Sequence, residues 1–351
     1  MITHAEQLPI EIWLLVFRHL EAHDLFYAFQ NLNNFYNQIL SSNYISFYLQ
    51  LRENDNNHLQ YPINPYWSDS ILNRIRFLQA TSQSEHDFFP QFLRWHVKKL
   101  IQLHSLSIMI YPRDIPYICI ALRKFHCLEY LSIKCIPNQM LLEAILAVPT
   151  LRICHLLLRK VVVDINYRLG TNSNIKKLFI VFFHNVNHSI INLLLSHMPK
   201  LNQLEICGSY SKSDRVSLFA EPLFILPELE IIKLNLENGS CTSDCFKYLH
   251  KIMPLLKNFY FNYYNHFLHE TFIDYFNTFW WSIIEQIEKI NININGHIPI
   301  NTINNDIETT LEKNRTCLLA KNNQSDGHVN ITWTEQTLTK FKVIEITIRK
   351  S

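Results

Sequence analysis

Glycine is the residue type that this sequence lacks most, with five in a chain of 351 residues. The shortage removes the glycine-based motifs of several enzyme classes. The sequence contains no G-x-G-x-x-G, no G-x-x-x-x-G-K followed by Ser or Thr, and no G-x-S-x-G. The chain therefore has neither a phosphate cradle nor a nucleophile elbow of known type. Its tight turns are expected to use Asn, Asp, Ser and Pro instead.

A dominant charge, a long apolar run and a secretory signal are also absent. The 32 basic and 30 acidic residues leave a net charge of +2, which gives no broad basic field for nucleic acid. No stretch reaches the roughly 20 apolar residues that span a membrane. The opening residues MITHAEQ carry no Lys or Arg, and Glu11 interrupts the apolar run behind them, unlike a signal peptide. We therefore expect a cytoplasmic or nuclear protein with reduced cysteines and with no nucleic-acid or membrane partner.

What the chain does contain is a recurring motif, L-x-x-L-x-I, which returns at intervals of 23 to 31 residues. Its second half alternates apolar and polar positions and predicts a short strand with one buried face. An apolar, helix-like run follows most copies, and four of these runs end at a proline, which stops a helix. The eight copies begin at Leu103, Leu128, Leu151, Ile175, Leu201, Leu229, Leu256 and Ile287.

This period and this core resemble those of leucine-rich repeats, in which stacked strand–helix units bury one another's apolar faces. The resemblance implies parallel strands on a concave face and helices on a convex one. Two departures suggest an irregular solenoid. The family's Asn after the strand is missing from nearly every unit, and the stretch VVVDINYRLGTNSN has no clear helix. Unrelated amphipathic segments in an ordinary α/β domain are the alternative.

The fold class that we predict is α/β, with four zones along the chain. Residues 1–50 form a small helical module, 51–99 a linker with short helices, 100–295 the repeat solenoid and 296–351 an atypical β-rich cap. In the linker, a helix is expected over SILNRIRFLQ, capped by the Ser or Asp before it. Towards the C-terminus, the strictly alternating segments INININ, HVNITW and FKVIEITI predict strands.

The stretch LPIEIWLLVFRHL, residues 8–20, predicts a helix that is apolar nearly all the way round. Two stripes run along it, one through Ile12 and the other through Phe17. A surface helix of a globular domain needs one apolar stripe, and an exposed apolar surface marks an interface. We therefore predict that one stripe packs on the chain's own helices at 24–32 and 33–41 and the other on a partner. Both orientations of the helix stay open.

The order of apolar residues across LPIEIWLLVFRHLEAHDL resembles the F-box, and the resemblance covers residues 8–40. Its second half departs from the family, because Val-Cys-x-x-Trp is replaced by NLNNF, with Phe35 or Tyr36 in the aromatic place. The resemblance implies that the module docks on the adaptor subunit of an SCF-type ubiquitin ligase and, through it, on a cullin. The residues that it assigns to this contact are Leu8, Pro9, Ile12, Phe17, Leu20 and Leu25.

An F-box followed by leucine-rich repeats also resembles the substrate receptors of these ligases. The resemblance implies a non-enzymatic subunit that binds an unidentified substrate protein through its repeats. The alternative is a leucine-rich-repeat binding or scaffold protein whose degenerate F-box no longer recruits a ligase. An enzyme is a distant third hypothesis.

Side chains alternate across a strand, so the residue between the last two apolar positions of each motif points away from the core. In leucine-rich repeats these residues form a row on the concave face, where we predict that the substrate binds. Phe179 and Tyr260 distinguish this row from a merely solvated surface, because aromatic residues are frequent among binding hot spots. Glu205 and Lys233 carry opposite charges, so the row does not favour an acidic or phosphorylated substrate. The complete row is Ser107, Ser132, His155, Phe179, Glu205, Lys233, Tyr260 and Asn291.

No catalytic, cofactor or metal site is predicted. His19 and His23 stand four residues apart, but the acidic residue between them, Glu21, is at the third position of the segment, whereas H-E-x-x-H has it at the second. The segment CTSDC followed by His250 is a weak zinc pattern. No cysteine is tied by spacing to a particular histidine, as a Cys–His nucleophile would require.

We therefore expect the purified full chain to contain no stoichiometric zinc, because neither pattern supplies the four ligands of a tetrahedral site. Elemental analysis of protein purified without a metal-affinity step measures this, with a known zinc protein as positive control. One zinc ion per chain would contradict the expectation.

Overall fold

A computed structural model shows a mixed α/β protein in which parallel strands alternate along the chain with short helices. The chain divides into two compact units, unit 1 over residues 1–154 and unit 2 over residues 155–351. Among the described helices, none is long and apolar enough to cross a membrane. The residues that the structure describes are 7–52, 69–81, 88–136, 138–159, 170, 172–183, 188–209, 215–216, 224–237, 240–241, 249–265, 287–299, 309, 312–313, 315–316, 320, 329–337 and 341–350.

Unit 1 opens with three short helices that pack around a cluster of aromatic rings. The rings of Phe17, Phe29 and Tyr36 lie 5.0–5.8 Å from the ring of Trp13, centre to centre. Asn31 has a φ of 62°, the left-handed conformation that glycine usually takes, so an asparagine makes this turn as the shortage of glycine predicts. The two helices predicted to follow the first are confirmed. The helices are α1 Ile10–Arg18, α2 Ala22–Phe29 and α3 Asn34–Ser41.

Four parallel strands of unit 1 pair in the order β1-β2-β3-β4. The helices between them contact one another in sequence, α5 with α6 and α6 with α7. The strands are β1 Phe47–Arg52, β2 Ile75–Thr81, β3 Ser105–Met109 and β4 Tyr130–Cys135, and β5 Ile153–Arg159 runs across the limit of the unit. The helices are α4 Asp69–Leu72, α5 Phe88–His96, α6 Ile115–Leu122 and α7 Gln139–Leu146.

The helix predicted in the linker is wrong beyond its first turn. The residues SIL belong to α4, which ends at Leu72, but IRFLQAT is strand β2. Ile75, Leu78 and Ala80 are buried, which is the spacing of the repeat motif. Pairing with β1 on one side and β3 on the other therefore outweighs the local preference for helix. Parallel strand pairing begins at residue 47, well ahead of residue 100.

A buried arginine, Arg74, lies between the end of α4 and the start of β2. Arg74 is 8% exposed and donates hydrogen bonds to the carbonyl oxygens of Leu40, at 2.8 Å, and Ser42. Its guanidinium lies 4.6 Å from the centre of the Phe47 ring. Because these carbonyls lie at and just beyond the end of α3, Arg74 ties the helical module to the first two strands.

Unit 2 contains strands that pair in the order β6-β7-β9-β11-β12-β14-β13. The first five are parallel, and each of the last two is antiparallel to the strand before it. The strands predicted from INININ, HVNITW and FKVIEITI are confirmed as β12, β13 and β14. Most of the segment VVVDINYRLGTNSN lies outside the described residues. The strands are β6 Lys177–Phe183, β7 Gln203–Ser209, β9 Ile231–Glu237, β11 Asn258–Asn265, β12 Lys289–Pro299, β13 Val329–Thr337 and β14 Phe341–Lys350. Smaller elements are helices α8 His188–Ser196 and α9 Leu249–Ile252 and the paired strands β8 Arg215–Val216 and β10 Ser240–Cys241.

The apolar positions of the repeat motif form the core in each unit. All three are buried in seven of the eight copies, and Leu256 is the exception at half-burial. The backbone keeps the copies aligned. In unit 2 the Lys176 carbonyl accepts hydrogen bonds from the N–H groups of Asn202 and Gln203, at 2.8 and 3.0 Å, and the carbonyls of Asn202 and Glu230 make the same fork with the next two strands, at 2.9–3.1 Å.

We expect Gly208→Ala to destabilise the protein, because a Cβ at Gly208 would overlap the ring of Phe182 on the paired strand, which is 1% exposed. Overpacking costs about 1–3 kcal/mol, more than the roughly 0.5–1 kcal/mol that alanine gains over glycine in a strand. Urea unfolding measures the difference. Gly170→Ala is the matched control, since nothing lies within 4 Å of a Cβ there. Equal unfolding free energies for the two variants would refute the proposed packing.

Candidate functional site

Helix α1 presents an apolar surface to solvent. Five large apolar side chains on it and just before it are 42–52% exposed. The opposite side of the helix is buried in the aromatic cluster of unit 1. An exposed apolar surface of this kind is typical of a protein–protein interface. We call it the α1 patch, and its members are Leu8, Ile10, Ile12, Leu15 and Val16.

The six residues that the F-box resemblance assigns to an adaptor differ in how exposed they are in the structure. Phe17 and Leu25 are buried in the core of unit 1, at 1% and 0% exposure. Phe17 contacts Trp13 and Phe29 in the aromatic cluster beneath α1. Leu20 is half-buried. The stripe through Ile12 is thus the outward one, and the exposed members of the six are Leu8, Pro9 and Ile12.

The predicted row in unit 2 lies on one side of its strands. Strand pairing places Phe179, Glu205, Lys233, Tyr260 and Asn291 beside one another on β6, β7, β9, β11 and β12. All five are half-buried, whereas the residues before and after each of them are fully buried. We call this side of the strands the open face.

Side chains of the row contact one another. The His155 ring lies 5.1 Å from the ring of Phe179. Lys233 Nζ lies 3.7 Å from Glu205 Oε2 and 5.8 Å from the centre of the Tyr260 ring. Burial lowers the pKa of His155, an effect that the Glu205 carboxylate opposes, so the imidazole is neutral near pH 7. The row therefore offers aromatic surface and one internal ion pair rather than a net charge.

The two row residues of unit 1 also lie side by side. Ser107 pairs with Ser132 across β3 and β4, and with Gln79 on β2. Gln79 accepts a hydrogen bond of 2.6 Å from the Tyr48 hydroxyl. Sequence reasoning missed Gln79, because it assigned β2 to a helix.

A second row on the open face of unit 2 consists of three amides and a thiol. Asn293 donates from Nδ2 to Asn262 Oδ1 at 2.9 Å, Asn262 donates to Asn235 Oδ1 at 2.6 Å, and Asn235 donates to Cys207 Sγ at 3.3 Å. We call these four residues the amide ladder. Sequence reasoning missed it, although its signal is plain: asparagine follows the last apolar position of three successive motifs, in LNL, FNY and INI.

Two further asparagines on β12 have a buried side-chain oxygen. Oδ1 of Asn291 and Oδ1 of Asn295 accept no hydrogen bond within the part of the chain that the structure describes. An unsatisfied buried acceptor costs about 1–3 kcal/mol.

Two buried cysteines of the described residues are unsuited to act as nucleophiles. Burial raises the pKa of Cys135 to about 12 and also raises the pKa of Cys154, so both remain protonated thiols. Within the described ranges, no three His, Cys, Asp or Glu side chains are grouped to hold a metal. Cys245, from the CTSDC segment, lies outside those ranges, so the zinc pattern there stays untested.

Comparisons with known proteins do not assign the chain to a family. No protein-family model matches it, and no curated protein matches its sequence. The α1 patch and the open face are therefore the features that bear on its function.

We expect Phe179→Ala and Tyr260→Ala each to lower the free energy of unfolding by no more than about 1 kcal/mol, as for surface positions. Phe261 is the matched control, because it neighbours Tyr260 but is 0% exposed, so that Phe261→Ala should cost about 3–5 kcal/mol. Urea unfolding of the three variants measures these values. A loss at Tyr260 as large as that at Phe261 would show that the row belongs to the core.

Proposed function

We propose that the chain is a non-catalytic substrate-recognition subunit of an SCF-type ubiquitin ligase. The α1 patch docks on the adaptor subunit, and through it on a cullin, while the open face binds a substrate protein. The observation that carries the proposal is the exposure of the α1 patch in a helix whose other side is buried. The order of residues that resembles the F-box supports the choice of partner.

The size of the patch indicates how it acts. Full burial of a Leu or Ile side chain is worth about 1.5–3 kcal/mol, and the patch side chains are roughly half exposed, so each offers about half of that. Association itself costs on the order of 4–15 kcal/mol. The patch therefore anchors an interface that needs further contacts around it, as hot-spot residues do in other complexes.

The open face supports the second half of the proposal. Its side chains combine aromatic rings, a neutral histidine and amides, and this composition is typical of protein-binding surfaces with a small net charge. The exposed amide of Asn262 can exchange hydrogen bonds with a partner's backbone, because its nitrogen keeps a second N–H and its oxygen a second lone pair. The bound substrate is thus expected to present N–H groups and apolar side chains rather than a cluster of acidic residues.

The competing function is a binding or scaffold protein that acts outside ubiquitination. The departure of the NLNNF segment from the F-box pattern favours it. Both functions use the open face in the same way, so the two differ only in what covers the α1 patch. Adaptor binding is the property that separates them.

We expect the full chain and the adaptor subunit, when co-expressed, to purify as a one-to-one complex. Ile12→Asp combined with Leu15→Asp should abolish the complex, because both side chains are exposed on α1 and two carboxylates cannot be buried against an apolar partner. Size-exclusion chromatography with light scattering measures the complex, and circular dichroism checks that the variant is folded.

The matched control is Ile101→Asp combined with Ile120→Asp. These two isoleucines are equally exposed, at 53% each, but lie elsewhere in unit 1. The control should bind the adaptor as the unaltered chain does. If the unaltered chain is a soluble monomer that does not bind the adaptor, the ligase role is overturned and the scaffold function remains. Binding that survives the α1 substitutions would overturn the assignment of the patch.

A further inference from the structure

A cavity of about 730 Å³ lies within unit 1, at the edge where its parallel strands begin. Its volume falls in the range of about 300–1,000 Å³ that is typical of small-molecule sites. The lining comes from Arg18 in the last turn of α1 and from residues within two positions of the start of β1, β2, β3, β4 and β5. None of these residues belongs to the α1 patch or to the predicted row.

Backbone hydrogen bonds hold four ionisable residues of this cavity in line. The His104 N–H donates to the carbonyl of Arg76 at 2.8 Å, the Glu129 N–H to that of His104 at 2.9 Å, and the Arg152 N–H to that of Glu129 at 2.9 Å. Neighbouring strands are about 4.8 Å apart, so the four Cα atoms repeat at close to that spacing. Their side chains line the same cavity.

The cavity carries an uncompensated positive charge. Three arginines, Arg18, Arg76 and Arg152, line it, and all three are exposed. Among the described residues, none of the three forms an ion pair with a carboxylate. Glu129 is the one acidic residue of the lining, so that the arginines leave a charge of +2. A dianion would neutralise this charge, whereas a monoanion would leave half of it.

We propose that this cavity binds a phosphate monoester. Such a group carries a charge of about −1.5 to −2 near pH 7 and three acceptor oxygens. Arginine is the side chain best suited to it, because the planar guanidinium donates two parallel hydrogen bonds to phosphate. Tyr48, Phe77 and Tyr130 give the same cavity aromatic walls, against which the organic part of the ester packs. The proposal does not depend on the ligase role.

The sequence carries a signal for this site at the second position of each repeat motif. That position is His104, Glu129 and Arg152 in the first three copies, and Arg76 holds the equivalent place in IRFLQA. The predicted binding row is three residues further along each strand. The net charge of the predicted binding row therefore does not include Arg76 and Arg152.

The test is isothermal titration calorimetry of the full chain with phenyl phosphate as probe and benzenesulfonate, a monoanion with the same ring, as comparison. We expect phenyl phosphate to bind one-to-one and at least about tenfold more tightly than benzenesulfonate, because the sulfonate has the same three acceptor oxygens but only one negative charge to pair with the arginines. Arg76→Gln and Arg152→Gln should each weaken binding by roughly tenfold or more.

Two further variants make the result specific. Arg94→Gln removes an exposed arginine of α5, outside the cavity, and should leave binding unchanged. Glu129→Gln removes the one negative charge of the lining and should tighten binding several-fold, a direction that a damaged fold would not produce. Arg18 is left unaltered because it shares α1 with the patch. All variants should still bind the adaptor if the proposed function holds, so that the two proposals fail independently.

A second titration distinguishes a free ester from one carried by a protein. The probes are a short phosphoserine peptide and its unphosphorylated twin. If the phosphopeptide binds more tightly than phenyl phosphate and the unphosphorylated peptide does not bind, the site takes phosphorylated proteins. If phenyl phosphate binds and the phosphopeptide does not, the site takes a free small molecule. The absence of binding by either phosphate probe, or equal weakening by Arg94→Gln and the cavity variants, overturns the site.

Discussion

The register of the strands in unit 2 depends on backbone carbonyls just before the strands, which accept hydrogen bonds from the start of the next strand. Three of them, at Lys176, Asn202 and Glu230, accept two bonds each, and the Lys257 carbonyl accepts one from Lys289. Equivalent motif positions therefore stay opposite one another through β6, β7, β9, β11 and β12. The leucines of one copy then pack beside those of the next and form a continuous core. The same alignment gathers the open-face residues into rows. Core and candidate binding surface therefore have one origin, and neither can shift without the other.

The strands could be predicted from the alternation of apolar and polar residues and from the regular interval between the motif copies. The alternation also predicts which of two adjacent residues is buried. Phe179 and Leu178 are both large and apolar, and the motif alone assigns the leucine to the core and the phenylalanine to the open face. The segment IRFLQAT was not predictable in this way, because the spacing of Ile71, Ile75 and Leu78 also suits a helix. The choice is made by strand β1, more than 20 residues earlier, and by the buried Arg74. The local sequence contains neither β1 nor the carbonyls of Leu40 and Ser42 to which Arg74 donates.

The orientation of α1 was open for a related reason. Both of its stripes are apolar, so composition could not distinguish the one that faces inward. The aromatic rings of α2 and α3 decide it, since they surround Trp13 and leave Ile12 outside. A helix of nine residues is too short to persist alone in water. Helix α1 is therefore held in place by its packing on α2 and α3. The exposure of the α1 patch and the position of Arg18 at the cavity both depend on this packing.

The amide ladder gives unit 2 a direction. Every amide nitrogen in it donates towards the preceding strand, from Asn293 to Asn262 to Asn235 and finally to the thiol of Cys207. The amide dipoles are therefore aligned, and each bond polarises the next. The repeat copies are for this reason not interchangeable, although they match one sequence motif. Cys207 on β7 ends the amide ladder because its sulfur accepts a hydrogen bond. Exchanging β7 with a strand that carries one of the asparagines would place the thiol inside the ladder and interrupt its hydrogen bonds.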